Sequence, residues 1–154
     1  MTITDLVAPE AILPALKVNS KKQALQELSA KAAVLTGQNE RAIFEVLLQR
    51  EKLGTTGIGL GLAIPHGRLP GIHEVQGLFA RLAEPVPFES VDNAPVDLVF
   101  LLLAPESAGA DHLHALATVS RVLRDAALCA KLRSARDEMA VYRLLTEAPA
   151  VQAA

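Results

Sequence analysis

The stretch "VDLVFLLLAP", Val96 to Pro105, holds seven consecutive apolar residues, Leu98 to Ala104, and closes on a proline. A strand with one wet face alternates apolar and polar residues. An unbroken run of this length marks a strand buried on both faces. It is far short of the roughly 20 residues that span a bilayer. The stretch therefore predicts an interior strand over about 96–103, with covering elements on either side. The next segment supplies one. "DHLHALATVSRVLRD", Asp111 to Asp125, repeats Leu113, Leu116, Ser120 and Leu123 at helical spacing, with Asp111 as its N-terminal cap.

Working outward, "SKKQ" at Ser20 matches a capping box, with Leu25, Leu28, Ala32 and Leu35 as the apolar stripe behind it. Gly37 closes that helix, Asn39 caps a second one through about Glu51, and Gly54 stops it. Strands are predicted at about 60–64 and 75–83, and short helices at about 126–133 and 137–145. Strands mixed with helices on one short chain indicate an α/β sandwich. No helical pattern separates 75–83 from 96–103, so those two strands do not form a parallel crossover unit. The expected fold class is α/β, a mixed central sheet flanked by helices, as a single domain over residues 1–154. The tail from Thr146 is small, polar and Pro-bearing, and its end is expected to fray.

Composition narrows the function. With 51% hydrophobic residues but only four Phe and one Tyr, the core must be aliphatic. Net charge is -2 and no basic run occurs, which argues against nucleic-acid binding. One cysteine, Cys129, cannot form an internal disulfide; it reads as a small core residue in a reducing compartment. The start "MTITDLVAPE" is neither basic nor continuously apolar. The expectation is a cytoplasmic protein without membrane insertion.

Six of the nine glycines lie between Gly54 and Gly71, around "AIPHG". Glycine lets backbone N–H groups approach a ligand with no Cβ in the way, and such groups cradle anions. The nucleotide-binding patterns fail. No Lys-Ser or Lys-Thr pair follows the glycines, and Gly57 and Gly59 lack the third glycine of a dinucleotide loop. Pro65 disfavours a helix through His66. Two accounts of His66 then stand. A neutral imidazole at a strand's end is a nucleophile poised for pH 7, and "PHG" is also ordinary turn punctuation.

"REKLGTTGIGLGLAIPHGRL", Arg50 to Leu69, closely resembles the phosphorylation-site signature of enzyme IIA domains of the bacterial phosphotransferase system. The similarity is to the mannitol/fructose class, nearest its nitrogen-regulatory branch, and spans about residues 5–147. "FESVDNAPVDLVFLLLAP" and "DHLHALATVSRVLRD" resemble later blocks of that family. The resemblance implies a histidine phosphotransferase in which His66 takes a phosphoryl group from a phosphohistidine on an HPr/NPr-like carrier. It implies phosphate-stabilising roles for His112 and Arg50, no metal and no cofactor. His112 in a first helical turn suits anion contact, though polar residues commonly sit at helix starts anyway. Arg50 can grip phosphate oxygens bidentately, or simply complement its helix dipole, or both. Thr55, Thr56 and Gly57 are expected to offer hydroxyl and backbone donors to the phosphate. Arg68 departs from the Lys or Thr common after "PHG" and keeps a positive charge beside the site.

The family resemblance leaves two jobs open: regulating partner proteins in nitrogen, carbon or potassium homeostasis, or passing phosphate to an enzyme IIB domain of a fructose/mannitol-type permease. A metal-binding or purely interacting module is a third reading, without HExxH or a cysteine pair behind it. His73 is expected in an exposed turn, His114 on the surface or in packing, and "KLRSARDE" as a solvated junction.

Overall fold

The computed structural model describes the backbone of residues 1–152 and the side chains of residues 1–147. The apolar run is a strand, and every residue from Leu98 to Ala104 is buried. The strands are Ile12–Leu16 (β1), Gly57–Gly59 (β2), Leu62–Ala63 (β3), His66–Leu69 (β4), Gln76–Val86 (β5) and Val96–Pro105 (β6). Along one edge β6 pairs antiparallel with β5, Phe79 opposite Phe100. Along its other edge it pairs parallel with β3 and then with β4, Leu62 opposite Leu98 and His66 opposite Leu102. β1 adds parallel to β5, and β2 folds back antiparallel on β3. The sheet is mixed, as predicted, because the link from β5 to β6 is shorter than the dozen or so residues a parallel crossover needs.

The helices are Ile3–Leu6 (α1), Lys21–Thr36 (α2), Glu40–Lys52 (α3), Ala110–Leu123 (α4), Ala126–Ser134 (α5) and Glu138–Gln152 (α6). α2 packs on α3 and β5, and α3 on β4, while α4 covers β6 and α6 covers β1. The caps read from the sequence hold at α2 and α3. Ser20 accepts from Gln23 N at 3.1 Å, Asn39 accepts from Ala42 N at 2.9 Å, and Gly37 ends α2 at a φ of 73°. Gln23 reaches one residue further back than the box implies, accepting from Asn19 N at 2.6 Å. Among the described residues no helix is long and apolar enough to cross a membrane.

Three expectations need correction. The strand at 60–64 is divided, because Leu60 and Gly61 at φ of 58° and 80° turn a hairpin between β2 and β3. β1 escaped the sequence reading because "ILPAL" carries a proline, which a strand at the border of a sheet tolerates. α6 runs past 145 to Gln152, and the last residues of the tail expected to fray lie outside the described residues.

Arg81 on β5 ties three elements together. Its Nε donates to Pro14 O at 2.7 Å, and its Nη1 donates to Leu132 O at 2.8 Å and Ala135 O at 2.7 Å, where α5 ends. Those carbonyls have no partner within the helix and the guanidinium fork satisfies them together. Arg81→Ala is expected to lower stability by about 2–4 kcal/mol in denaturant titration. Arg81→Lys should recover less than half of that, since one ammonium cannot span the acceptors.

Candidate functional site

His66 opens β4 directly after Pro65, whose carbonyl accepts from Leu102 N at 2.9 Å and so docks the kink onto β6. The imidazole's partners settle its tautomer. Nδ1 lies 2.8 Å from the Ile64 carbonyl, which can only accept, so Nδ1 carries the proton. Arg50 Nε donates to Nε2 at 3.2 Å, so Nε2 carries the lone pair. Arg50 stands in the last turn of α3, where it also donates from Nη1 to Gly54 O at 2.9 Å. α3 comes this near to β4 because residue 67 is glycine. A Cβ there would sit 2.2 Å from Val46 Cγ1.

His112 enters from α4. Asp111 does not cap this helix; Gly109, at a φ of 42°, takes the cap position and α4 begins at Ala110. His112 is nonetheless in the first turn. The buried residues are His112, Ala115, Thr118, Val119, Val122 and Leu123, so Leu123 of the predicted stripe is in the core while Leu113 is 65% exposed. The stripe departs from the spacing only at its N-terminal end, where His112 and Ala115 take the contact face in place of Leu113. His112 is 7% exposed and its ring centroid lies 5.4 Å from that of His66, tilted by 58°. Its Nδ1 is buried with no hydrogen-bond partner among the described residues, so Nε2 is the nitrogen left to meet a ligand. His114, two residues on, is exposed, as is His73.

Arg50, His66, Arg68 and His112 line an open cleft of about 420 Å³, with Val46 and the largely exposed Leu53 on its wall. Burial pushes the His66 imidazole below its usual 6.5, and the Arg50 charge adds to the effect against the opposing pull of the Ile64 hydrogen bond. His112 is lowered by burial first, then by His66 and Arg68. Both rings are neutral at pH 7. The cleft thus presents a lone pair beside a guanidinium and an imidazole, an arrangement suited to attack on a negatively charged electrophile.

Thr55, Thr56 and Gly57 stand beside the cleft rather than in its lining, and their donors are engaged elsewhere. Thr55 Oγ1 donates to Phe88 O at 2.7 Å and accepts from Gly57 N at 3.0 Å. Thr56 gives both its N–H, at 3.0 Å, and its hydroxyl to the Glu51 carboxylate. Glu51, buried in the last turn of α3, also meets Lys21 Nζ at 2.9 Å. The sequence reading missed this buried pair. The available signal was a glutamate at a helix C-terminus, where the dipole disfavours it. Arg133 in "KLRSARDE" is likewise more than solvated, holding Asp97 at 2.8 Å and Leu60 O at 2.8 Å. Cys129 is buried as expected, its thiol directed at Leu123 O at 3.2 Å and its pKa pushed up by burial.

Residues 5–148 match the family model "Phosphoenolpyruvate-dependent sugar phosphotransferase system, EIIA 2". A nitrogen regulatory protein of Bradyrhizobium diazoefficiens is 71% identical over 153 residues, covering 99% of this chain and all of that one. The crystal structure of nitrogen regulatory protein IIA-Ntr from Neisseria meningitidis superposes with a TM-score of 0.88 at 35% identity, over 94% of this chain and 99% of that one. The Escherichia coli mannitol enzyme IIA, solved in complex with phosphorylated enzyme IIB, shares the fold with a TM-score of 0.76 at 22% identity, covering 92% and 99%.

Both imidazoles should titrate below 6.5 in a pH series of their ring NMR signals. An unfolded chain takes up protons there as pH falls through about 6.5, whereas the folded one resists until lower pH. Their contribution to stability is therefore complete above that value and declines below it, by up to about 1.4 kcal/mol per pH unit for each ring. Denaturant midpoints between about pH 6.5 and 5.5 check this slope. Glu51→Ala, which strands Lys21 and two Thr56 donors, is expected to cost about 3–5 kcal/mol in the same titration.

Proposed function

Because the chain belongs to the EIIA 2 family of the phosphoenolpyruvate-dependent sugar phosphotransferase system, we propose that it is a phosphoryl carrier whose acceptor is His66 Nε2. The observation that carries this reading is the fixed tautomer: Ile64 holds the proton on Nδ1, and the Nε2 lone pair faces the Arg50–His112 cleft. The donor is an HPr/NPr-like carrier bearing phosphohistidine. In the step, the Nε2 lone pair attacks phosphorus and the donor's P–N bond breaks. The donor imidazole keeps that electron pair and takes up a proton from solvent, while His66 keeps its own on Nδ1. The phosphohistidine arrives activated, so the chain's task is alignment and charge stabilisation.

Each cleft residue has one part in this. Arg50 Nε, which donates to the Nε2 lone pair in the free chain, passes to a phosphoryl oxygen as the P–N bond forms. His112 stays neutral and donates from Nε2–H, the proton its partnerless Nδ1 cannot use. The largely exposed Leu53 on the cleft wall provides an apolar rim for the docking carrier. Thr55, Thr56 and Gly57 act indirectly, by holding the loop that Arg50 grips.

The carrier works as one enzyme IIA-like domain over residues 1–154 in the cytoplasm, and its phosphorylation state regulates partner proteins of nitrogen, carbon or potassium homeostasis. The relative from Bradyrhizobium, named a nitrogen regulatory protein along its full length, supports this over a transport role. The mannitol enzyme IIA bound to phosphorylated enzyme IIB supports the alternative, a permease subunit, through the fold alone. Rapid onward transfer to a purified enzyme IIB would favour the permease reading.

The test is phosphoryl transfer from phosphoenolpyruvate through enzyme I and an HPr-like carrier, read by intact mass and acid lability. Wild type is expected to gain one acid-labile phosphate and His66→Ala none. His112→Ala should gain it about a hundredfold more slowly. Label on His66→Ala equal to wild type would overturn the assignment.

A further inference from the structure

We propose that Arg68 is a second guanidinium ligand of the phosphoryl group, free while His66 is bare and drawn onto the phosphoryl oxygens once His66 carries it. This rests on the reading of His66 as the phosphoryl acceptor. Arg68 follows His66 by two residues on β4, opposite Ala104 as His66 is opposite Leu102. Alternate strand residues project from one face, about 6.8 Å apart along the strand. Both line the same cleft.

Arg68 is exposed, and its guanidinium makes no hydrogen bond or ion pair among the described residues. The other arginine of the cleft is engaged. Arg50 is shared between His66 and Gly54. An unengaged guanidinium loses nothing by moving to a new anion. Its strand does not move with it, because β4 is paired to β6 and pressed on α3 through Gly67. The charge of Arg68 is felt inside the cleft, where it helps hold His112 neutral.

Charge balance supplies the need. A phosphoryl group brings close to two negative charges and three acceptor oxygens at neutral pH. Arg50 offers one positive charge and His112 a neutral donor. Lys21 is paired with the buried Glu51 and has no charge to lend. Arg68 is the other cation lining the cleft, and it makes three ligands for three oxygens.

Wild type, Arg68→Ala and Arg68→Lys would be compared for the equilibrium distribution of phosphate between the HPr-like carrier and this chain. Forward and reverse transfer rates and thermal midpoints would be measured on the same samples. A lost charge-assisted ligand is expected to move the Arg68→Ala equilibrium about five- to tenfold toward the carrier, with Arg68→Lys in between and the melting unchanged. Added salt should narrow the gap. If Arg68 merely docks the carrier, both rates fall together and the equilibrium stays put, and that result overturns the proposal while leaving His66 as the acceptor. No phosphate on wild type would instead remove the reading of His66, and this proposal with it.

Discussion

One edge of β6 is shared by two short parallel strands, and the contents of the cleft are placed by that sharing. β3 takes Leu98 and Val99, β4 takes Leu102 to Pro105, and Ile64 and Pro65 cross between them. Proline has no N–H to donate, so the ladder is interrupted there, while its carbonyl still accepts from Leu102. The interruption turns the Ile64 carbonyl toward the His66 ring, which it meets through Nδ1. A continuous strand from Leu62 to Leu69 would pair its carbonyls with β6 and leave the imidazole without a fixed tautomer. β6 can impose this because both its faces and both its edges are occupied, so it has no freedom to shift register.

The second constraint is the proximity of α3 to β4. Gly67 removes the side chain that would hold the helix off, and Val46 fills the space. Arg50 is then within hydrogen-bonding range of His66 from a neighbouring element. The polar groups just after α3 are given over to holding its C-terminal loop. Glu51 takes Thr56 and Lys21, Lys21 lies over the Phe88 ring at 4.8 Å, and Thr55 joins Phe88 to Gly57. A loop secured from beneath keeps Gly54 O in place for Arg50. The site's most exposed donors are therefore few, and they come from side chains that burial and backbone partners have already oriented.

Electrostatics follows from the same packing. Two histidines whose ring centroids are 5.4 Å apart, with two arginines in the lining, cannot all be charged at little cost. The protein keeps the arginines charged and the imidazoles neutral. That state leaves the His66 Nε2 lone pair in a cleft lined by two guanidinium charges.

Much of this was legible in the chain itself. The doubly buried strand, the capped helices α2 and α3, the mixed pairing and the histidine among glycines all depend on local pattern: apolar runs, cap residues, chain length between strands. Arg50, His66 and His112 were nameable as site candidates through the resemblance of the stretches around them to the enzyme IIA signature. What local pattern could not decide was which donors face the cleft. Thr55, Thr56 and Gly57 read as ligands until Glu51 and Phe88, from other elements, took their hydrogen bonds. The N-terminal end of the α4 stripe was misjudged because His112 and Ala115, not Leu113, meet the core there, while Leu123 is buried as the spacing implied. Hydrogen-bond partners and burial join groups from different elements and loops, and only the packed chain brings those groups together.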